Sequence, residues 1–236
     1  MPPPLSPPLL DIDWNPDELS EANLRESILQ RIRIGIVSGQ IPPNALLTVP
    51  SLSRQLGVST TPIREALLEL SNTGLIEARR NRGFRVCETS PKDLKDLFAI
   101  RAQLEAYAVS LVPACPPDEK SALDALAKAV DEAVRRGDTL GYISTDRAFH
   151  RRLVALADNP KLTQMIMELR NNMRLYGIET AAGVERQRRS VQEHYQLVEL
   201  LADGNNTDAC ALITTHILDW QPIFLSALAV IEAPAQ

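Results

Sequence analysis

What the chain has little of narrows it first. It holds three cysteines, Cys87, Cys115 and Cys210, scattered, odd in number and without a CxxC spacing. That excludes a disulfide-stapled scaffold and a cysteine metal knuckle, and fits small buried residues in a reducing, cytoplasmic setting. No run of about 18 apolar residues occurs, so no membrane span is expected. The opening "MPPPLSPPLL" lacks the basic region of a signal peptide and is interrupted by prolines, so residues 1–16 read as a flexible tail, with 232–236 as a short C-terminal one. Between Leu19 and Cys87 there is no Asp and no Lys: nine Arg face five Glu, a local net of +4, in a chain whose formal charge is −5. A net negative charge argues against a generic nucleic-acid coat. A small basic module joined to a larger acidic one instead points to nucleic acid at one end only.

What is present reads as two modules. With 236 residues and 44% apolar content there is enough material for two small cores. Residues 17–88 give the first. Leu24, Ile28, Ile32 and Ile36 recur at helical spacing until Gly39, and "IPPNALLTV" reads as an extended connection. "PSLSRQLG" is a short helix with Pro50 near its start and Gly57 past its end. Ser59 is placed as the N-cap of the next helix, which buries Ile63, Leu67 and Leu70 and stops at Gly74. "LIEARRNRGFRVCE" is then a small hairpin. Helix, short helix, turn, helix, hairpin is the order of a winged helix-turn-helix.

Residues 89–231 form the second module. "SPKD" at 90–93 is a helix start, with Ser90 as cap, Pro91 first and Asp93 in the first turn. Helical patterns follow near 91–112, 118–136, 139–157, 160–179, 184–203 and 206–229, with almost no strand signal and no short internal repeat. Six helices over about 140 residues make an all-α bundle. The fold class is therefore mainly α, a winged helix-turn-helix followed by a helical bundle.

In the first module Thr60 and Arg64 lie four residues apart, off the core face, with Ser59 and Thr61 at the same helix start. Hydroxyls and backbone N–H groups there suit phosphates, and Arg suits guanine or phosphate. Arg79, Arg80 and Arg82 stand at the hairpin tip, where cations reach an adjacent groove. The plainer alternative is a solvated face and a charged turn.

In the second module the three histidines fall on apolar stripes of three different helices. "DRAFH" puts Asp146 and His150 on one face with Leu153 and Ala157. His194 aligns with Val191, Val198 and Leu201, and His216 with Leu212, Ile213 and Trp220. Burying three imidazoles and a carboxylate is costly unless they satisfy one another. A shared divalent metal such as Zn, Ni, Mn or Fe would do so, since carboxylate oxygen and neutral imidazole are its ligands. Three separately satisfied core histidines are the alternative. "ERQRRS" at 185–190 reads as a solvated face or turn, and Trp14 and Trp220 as packing anchors.

"GVSTTPIREAL" and "GLIEARRNRGFRV", with "LRESILQRIRIGIVSGQIPPNALL" upstream, resemble the signature of GntR-family bacterial transcription regulators. "LFAIRAQLE", "DRAFH", "DNPKL", "EHYQLVELLADG" and "THILDW" resemble the all-helical FCD effector domain of the FadR-like branch, so that the likeness spans roughly residues 17–220. A count of six effector helices rather than seven corresponds to its VanR-like group. The resemblance implies a homodimer on a pseudo-palindromic double-stranded operator, with Ser59, Thr60, Thr61, Arg64, Arg82 and Gly83 as DNA contacts. It implies a divalent metal held by Asp146, His150, His194 and His216. It also implies a small carboxylate effector met by Arg101, with Asn171 and Arg174 as further candidates; without the resemblance, Arg101 is a partner for Glu105 one helical turn on. Two residues depart from the family pattern: Thr60 stands where Arg is common, and Pro50 where a polar DNA-contacting residue is common. A threonine hydroxyl cannot make arginine's bidentate base contact, so operator choice is expected to differ. The expected function is a metabolite-responsive regulator, a repressor released by an organic acid, and not an enzyme. A metalloenzyme using the Asp and three His, or a regulator with a purely structural metal, are the alternatives.

Overall fold

The computed structural model describes residues 21–113 and 115–232, which divide into two compact units between Thr89 and Ser90. Trp14, the expected N-terminal tail 1–16 and residues 233–236 of the expected C-terminal tail lie outside the described residues, while Glu232, placed in that tail by the sequence, ends a helix.

In the first unit α1 (Glu21–Val37) packs on α3 (Thr60–Asn72), with α2 (Val49–Leu56) against α3. Ile28, Leu29, Ile32 and Ile36 of α1 meet Ile63, Leu67 and Leu70 of α3 in one core. Each fully buried Ile or Leu there contributes about 2 kcal/mol. α2 begins at Thr48, whose hydroxyl accepts the Ser51 N–H at 3.3 Å, and stops at Gly57 in the left-handed region. The hairpin is β2 (Ile76–Arg79) and β3 (Gly83–Val86), paired Ile76 to Val86 and Arg79 to Gly83. The stretch read as a connection also adds β1 (Leu46–Leu47) to the free edge of β3, giving the antiparallel order β1-β3-β2. Gly83 sits at φ +112°, and a Cβ there would strike the Leu47 carbonyl oxygen, so only glycine lets β1 approach.

The second unit is all helix: α4 (Pro91–Ser110), α5 (Pro117–Arg136), α6 (Thr139–Ala155), α7 (Pro160–Asn172), α8 (Ala181–Ala202), α9 (Asn206–Leu218) and α10 (Gln221–Glu232). α4 opens with the reciprocal capping box of Ser90 and Asp93. Asp138, Asn159, Thr180 and Asn205 cap α6, α7, α8 and α9 in turn. α4 packs on α9, α5 on α6 and α8, and α8 on α9, around a core that includes Phe98, Phe149, Leu197, Ile213 and Phe224.

Two helical boundaries correct the sequence reading. The pattern at 206–229 is two helices, not one, and the described residues of this unit hold seven helices rather than six. Pro222 is the reason: it has no N–H to continue the ladder, and its ring would clash with the carbonyl four residues back. The six-helix basis for a VanR-like placement is thus not met. The helix expected over 160–179 ends at Asn172; Met173 turns extended at ψ 124° and Gly177 adopts φ +72°. That segment folds onto the start of α8, where a Cβ on Gly183 would strike the carbonyl oxygens of Gly177 and Ile178.

Candidate functional site

Ser59, Thr60, Thr61 and Arg64 are all exposed at the start of α3. Ser59 occupies the N-cap position with extended backbone, yet its side chain makes no capping hydrogen bond. The capping bond expected of Ser59 is therefore absent, and its hydroxyl stays available beside the N–H groups that a first helical turn leaves unpaired. On the wing Glu77 takes hydrogen bonds from Arg79 and Arg85, both at 2.7 Å. Arg64, Arg80 and Arg82 are exposed and have no carboxylate partner among the described residues. Pro50 is exposed in the first turn of α2.

In the second unit α6, α8 and α9 each aim a buried imidazole at one point. His150 Nε2 lies 3.2 Å from His194 Nε2 and 3.1 Å from His216 Nε2. Asp146 Oδ1 is 3.6 Å from His150 Nε2 and 3.4 Å from His194 Nε2. One ligating atom from each of the four residues lies within 4.8 Å of all the others. The rings are nearly or fully buried, and Phe149 stacks on His194 with centroids 4.2 Å apart.

The donor set decides what this arrangement suits. A metal–nitrogen bond of about 2.1 Å puts neighbouring ligand atoms about 3.0 Å apart at 90° and about 3.4 Å apart at the tetrahedral angle. The observed separations fall on that scale. Hydrogen bonds alone do not satisfy the cluster. His216 Nδ1 donates to Glu193 Oε2 at 2.7 Å, which leaves its Nε2 a lone pair. His150 Nε2 faces that lone pair and the His194 nitrogen together, and one ring nitrogen cannot serve both. His150 Nδ1 and His194 Nδ1 have no hydrogen-bond partner among the described residues. Three converging imidazole nitrogens and a carboxylate oxygen fit a divalent cation.

Electrostatics favour the protonation state that a metal site needs, neutral imidazoles beside an ionised carboxylate. Burial, aided by the nearby Arg170 charge, pushes His150 down to about 4; burial and the neighbouring rings push His194 well below the usual histidine range. Burial opposes ionisation of Asp146, but His150, Arg170 and His194 outweigh it and hold the carboxyl well below its usual range. Arg170 is the organiser. Its Nη2 donates to Asp146 Oδ2 at 3.1 Å, turning Oδ1 toward the rings, while Nη1 grips both oxygens of Glu105 at 3.0 and 2.8 Å. Glu105 is fully buried, and Arg170 and Arg101 hold it down to about 2 against its burial.

Arg101 joins this network through Glu105, at 3.0 Å, and spends its Nη1 on the Met173 thioether at 3.3 Å. Burial lowers its guanidinium to about 10. Arg174 is buried. Asn171 lines a surface groove between α6 and α7, with Arg151 and Met167, that contains none of the four cluster residues. The segment 185–190 is not the solvated face it reads as: Arg186, Gln187 and Ser190 are buried, and only Glu185, Arg188 and Arg189 face solvent. Arg186 Nη2 donates to Glu193 Oε2 and to the His216 carbonyl, both at 2.7 Å. The Arg101–Glu105 pair is the one expected without the family resemblance, whereas Arg170, Arg186 and Glu193 escaped sequence reasoning because a charged residue on a helix is by default solvated. One signal was available: Arg186, Ser190 and His194 recur every four residues on one face of α8.

Residues 24–86 match the family model described as bacterial regulatory proteins, gntR family, and residues 96–219 match the FCD domain. The Nta operon transcriptional regulator of Aminobacter aminovorans is 31% identical over 189 residues, 77% of this chain and 85% of that protein. The HTH-type transcriptional repressor GlaR of Escherichia coli is 29% identical over 206 residues, 82% of this chain and 92% of its own. The structure of McbR/YncC from E. coli shares the fold, with a TM-score of 0.75 at 23% identity over 91% of this chain and all of that one. With both modules matched and relatives aligned along most of their length, the chain belongs to the GntR family of bacterial transcription regulators and carries an FCD domain.

Proposed function

We propose that this DNA-binding regulator is a repressor that leaves its operator when a small organic acid binds beside a divalent metal at Asp146, His150, His194 and His216. The observation that carries this reading is the convergence of three imidazole Nε2 atoms and one carboxylate oxygen at ligand–ligand separations inside a helical unit. Those four residues would hold the cation, which supplies a Lewis-acidic position for an anionic ligand. Arg101 suits the acid's carboxylate, since its present Nη1 acceptor is a thioether, a weak acceptor that a carboxylate displaces. Ser59, Thr60, Thr61, Arg64 and Arg82 supply the DNA contacts, and Gly83 lets the wing close on β1.

Two half-sites of a pseudo-palindrome call for two copies of the chain. Ile100 and Tyr107 of α4 and Leu111 just past its end are apolar and 40–55% exposed, which suits a self-complementary contact. An acid that prefers a dimer arrangement with misplaced recognition helices lowers operator affinity by that difference in binding energy. The test is fluorescence anisotropy of labelled DNA from around the gene, with metal-loaded protein and added small carboxylates. One acid is expected to weaken operator binding tenfold or more, and His194→Ala to keep DNA affinity and lose the response. An equal response in His194→Ala would overturn the reading.

A further inference from the structure

Arg186 is the buried cation that the histidine cluster does not use. It is fully buried in α8. Its Nη2 spends both protons, on Glu193 Oε2 and on the His216 carbonyl. A guanidinium has five N–H donors, and the remaining three, on Nε and Nη1, have no acceptor among the described residues. The Trp220 ring lies 5.5 Å from its central carbon, shielding one face and leaving the edges for hydrogen bonding.

This cation is linked to the cluster along two routes. One runs through Glu193 to His216 Nδ1. The other follows facing rows on two helices: Tyr142, Asp146 and His150 on α6, and Arg186, Ser190 and His194 on α8. The Tyr142 and Ser190 hydroxyls meet at 3.5 Å, between Arg186 and the cluster. The ion pairs joined to the two ends match one for one. Arg101, Arg170 and Arg186 are matched by Glu105, Asp146 and Glu193. The imidazoles are neutral donors and these carboxylates are already paired, so a bound divalent cation would add two positive charges beside them, a costly state that a ligand with two negative charges relieves.

We propose that Arg186 binds the second carboxylate of a short dicarboxylate effector whose first carboxylate lies at the histidine cluster. This assignment rests on reading that cluster as the metal and effector site. The Tyr142 and Ser190 hydroxyls lie between the two ends, and arginine suits the planar carboxylate it would receive.

The experiment is a thermal-shift ladder on the full chain, with bound metal quantified after gel filtration in every sample. Malonate, succinate and glutarate are compared with acetate, propionate and butyrate at equal concentration and ionic strength. At least one dicarboxylate is expected to raise Tm by several degrees more than any monocarboxylate. In Arg186→Gln that preference should vanish while metal per chain stays at the wild-type value. Arg186→Lys keeps the Glu193 pair and guards against a folding defect; it should retain metal and lose most of the preference, and Tyr142→Phe should weaken it. Monocarboxylates stabilising as well as dicarboxylates, a preference that survives in both Arg186 variants, or inorganic phosphate outdoing every dicarboxylate would each overturn the assignment. Absence of metal from the wild-type chain would refute the metal reading separately, and the Arg186-dependent dicarboxylate preference would still decide this one.

Discussion

Replacing Glu193 with glutamine probes the cluster through a residue that does not belong to it. Glu193 Oε2 accepts the His216 Nδ1 proton and an Arg186 proton, each at 2.7 Å. Burial opposes its charge, but those two partners hold the carboxyl down to about 2, so it is ionised at any working pH. Glutamine keeps the shape and one acceptor oxygen and loses the charge. A charge-assisted hydrogen bond exceeds a neutral one by about 1 kcal/mol. The His216 bond bears directly on the ligand nitrogen across the ring. Loss of that increment, with a less basic imidazole, comes to about 1.4 kcal/mol, or roughly tenfold in metal affinity, within the range for groups behind metal-bound histidines. The assay is competition for zinc against a chromophoric chelator, with circular dichroism to confirm the helical content. Glu185→Gln, on the exposed face of the same helix, is the control and should bind zinc as the wild type does. A Glu193→Gln affinity within twofold of wild type would refute the claim that Glu193 orients a metal ligand.

Other consequences follow from the same geometry. On the wing, Arg82→Ala should lower operator affinity and reduce the magnitude of the salt slope by about 1, whereas Arg79→Ala, already paired with Glu77, should change the slope less; equal effects in salt-dependent anisotropy would contradict that division. Gly183→Ala should destabilise the helical unit by about 2 kcal/mol or more, because its Cβ meets two backbone carbonyls that cannot swing aside; a urea midpoint equal to wild type would show that the 173–180 segment yields. Metal-free protein should lose stability as pH falls. His150 drops from 6.5 to about 4 on folding and His194 shifts the same way, so the unfolded chain binds more protons between those values; stability present above pH 6.5 is lost toward pH 4. Glu105 and Glu193, held down to about 2, extend the loss below pH 4.5. Melting curves at pH 7.5 and 5.5 check the sign, and a higher Tm at pH 5.5 would reverse it.

The fold was legible where one local signal dominated. Ile28, Ile32 and Ile36 in α1, the Ser90–Asp93 cap and the Gly57 stop each declare an element within a few residues of chain. The spacing of Asp146 and His150 already placed both on one helical face, and the structure brings that face to His194 and His216. What stayed hidden was long-range or ran against default behaviour. β1 exists because β3 offers an edge 37 residues away, from Leu47 to Phe84. Pro222 divides a stretch whose apolar spacing continues across the break. The charged shell of Glu105, Arg170, Arg186 and Glu193 looks in sequence like ordinary solvated helix surface. Only the packing of α4, α7 and α8 around the cluster shows that those charges face inward and pair with one another.

The most direct measurement is the metal content of this chain, purified without a histidine tag and read by plasma mass spectrometry beside His150→Ala. His150 Nε2 stands within 3.2 Å of both other ring nitrogens, so its loss removes the shared member of the cluster. About one transition-metal ion per chain in the wild type, and a small fraction of that in the variant, is the predicted result. Little metal in either protein after incubation with excess zinc or nickel would contradict it, and would make the three histidines a packed polar core instead of a metal centre.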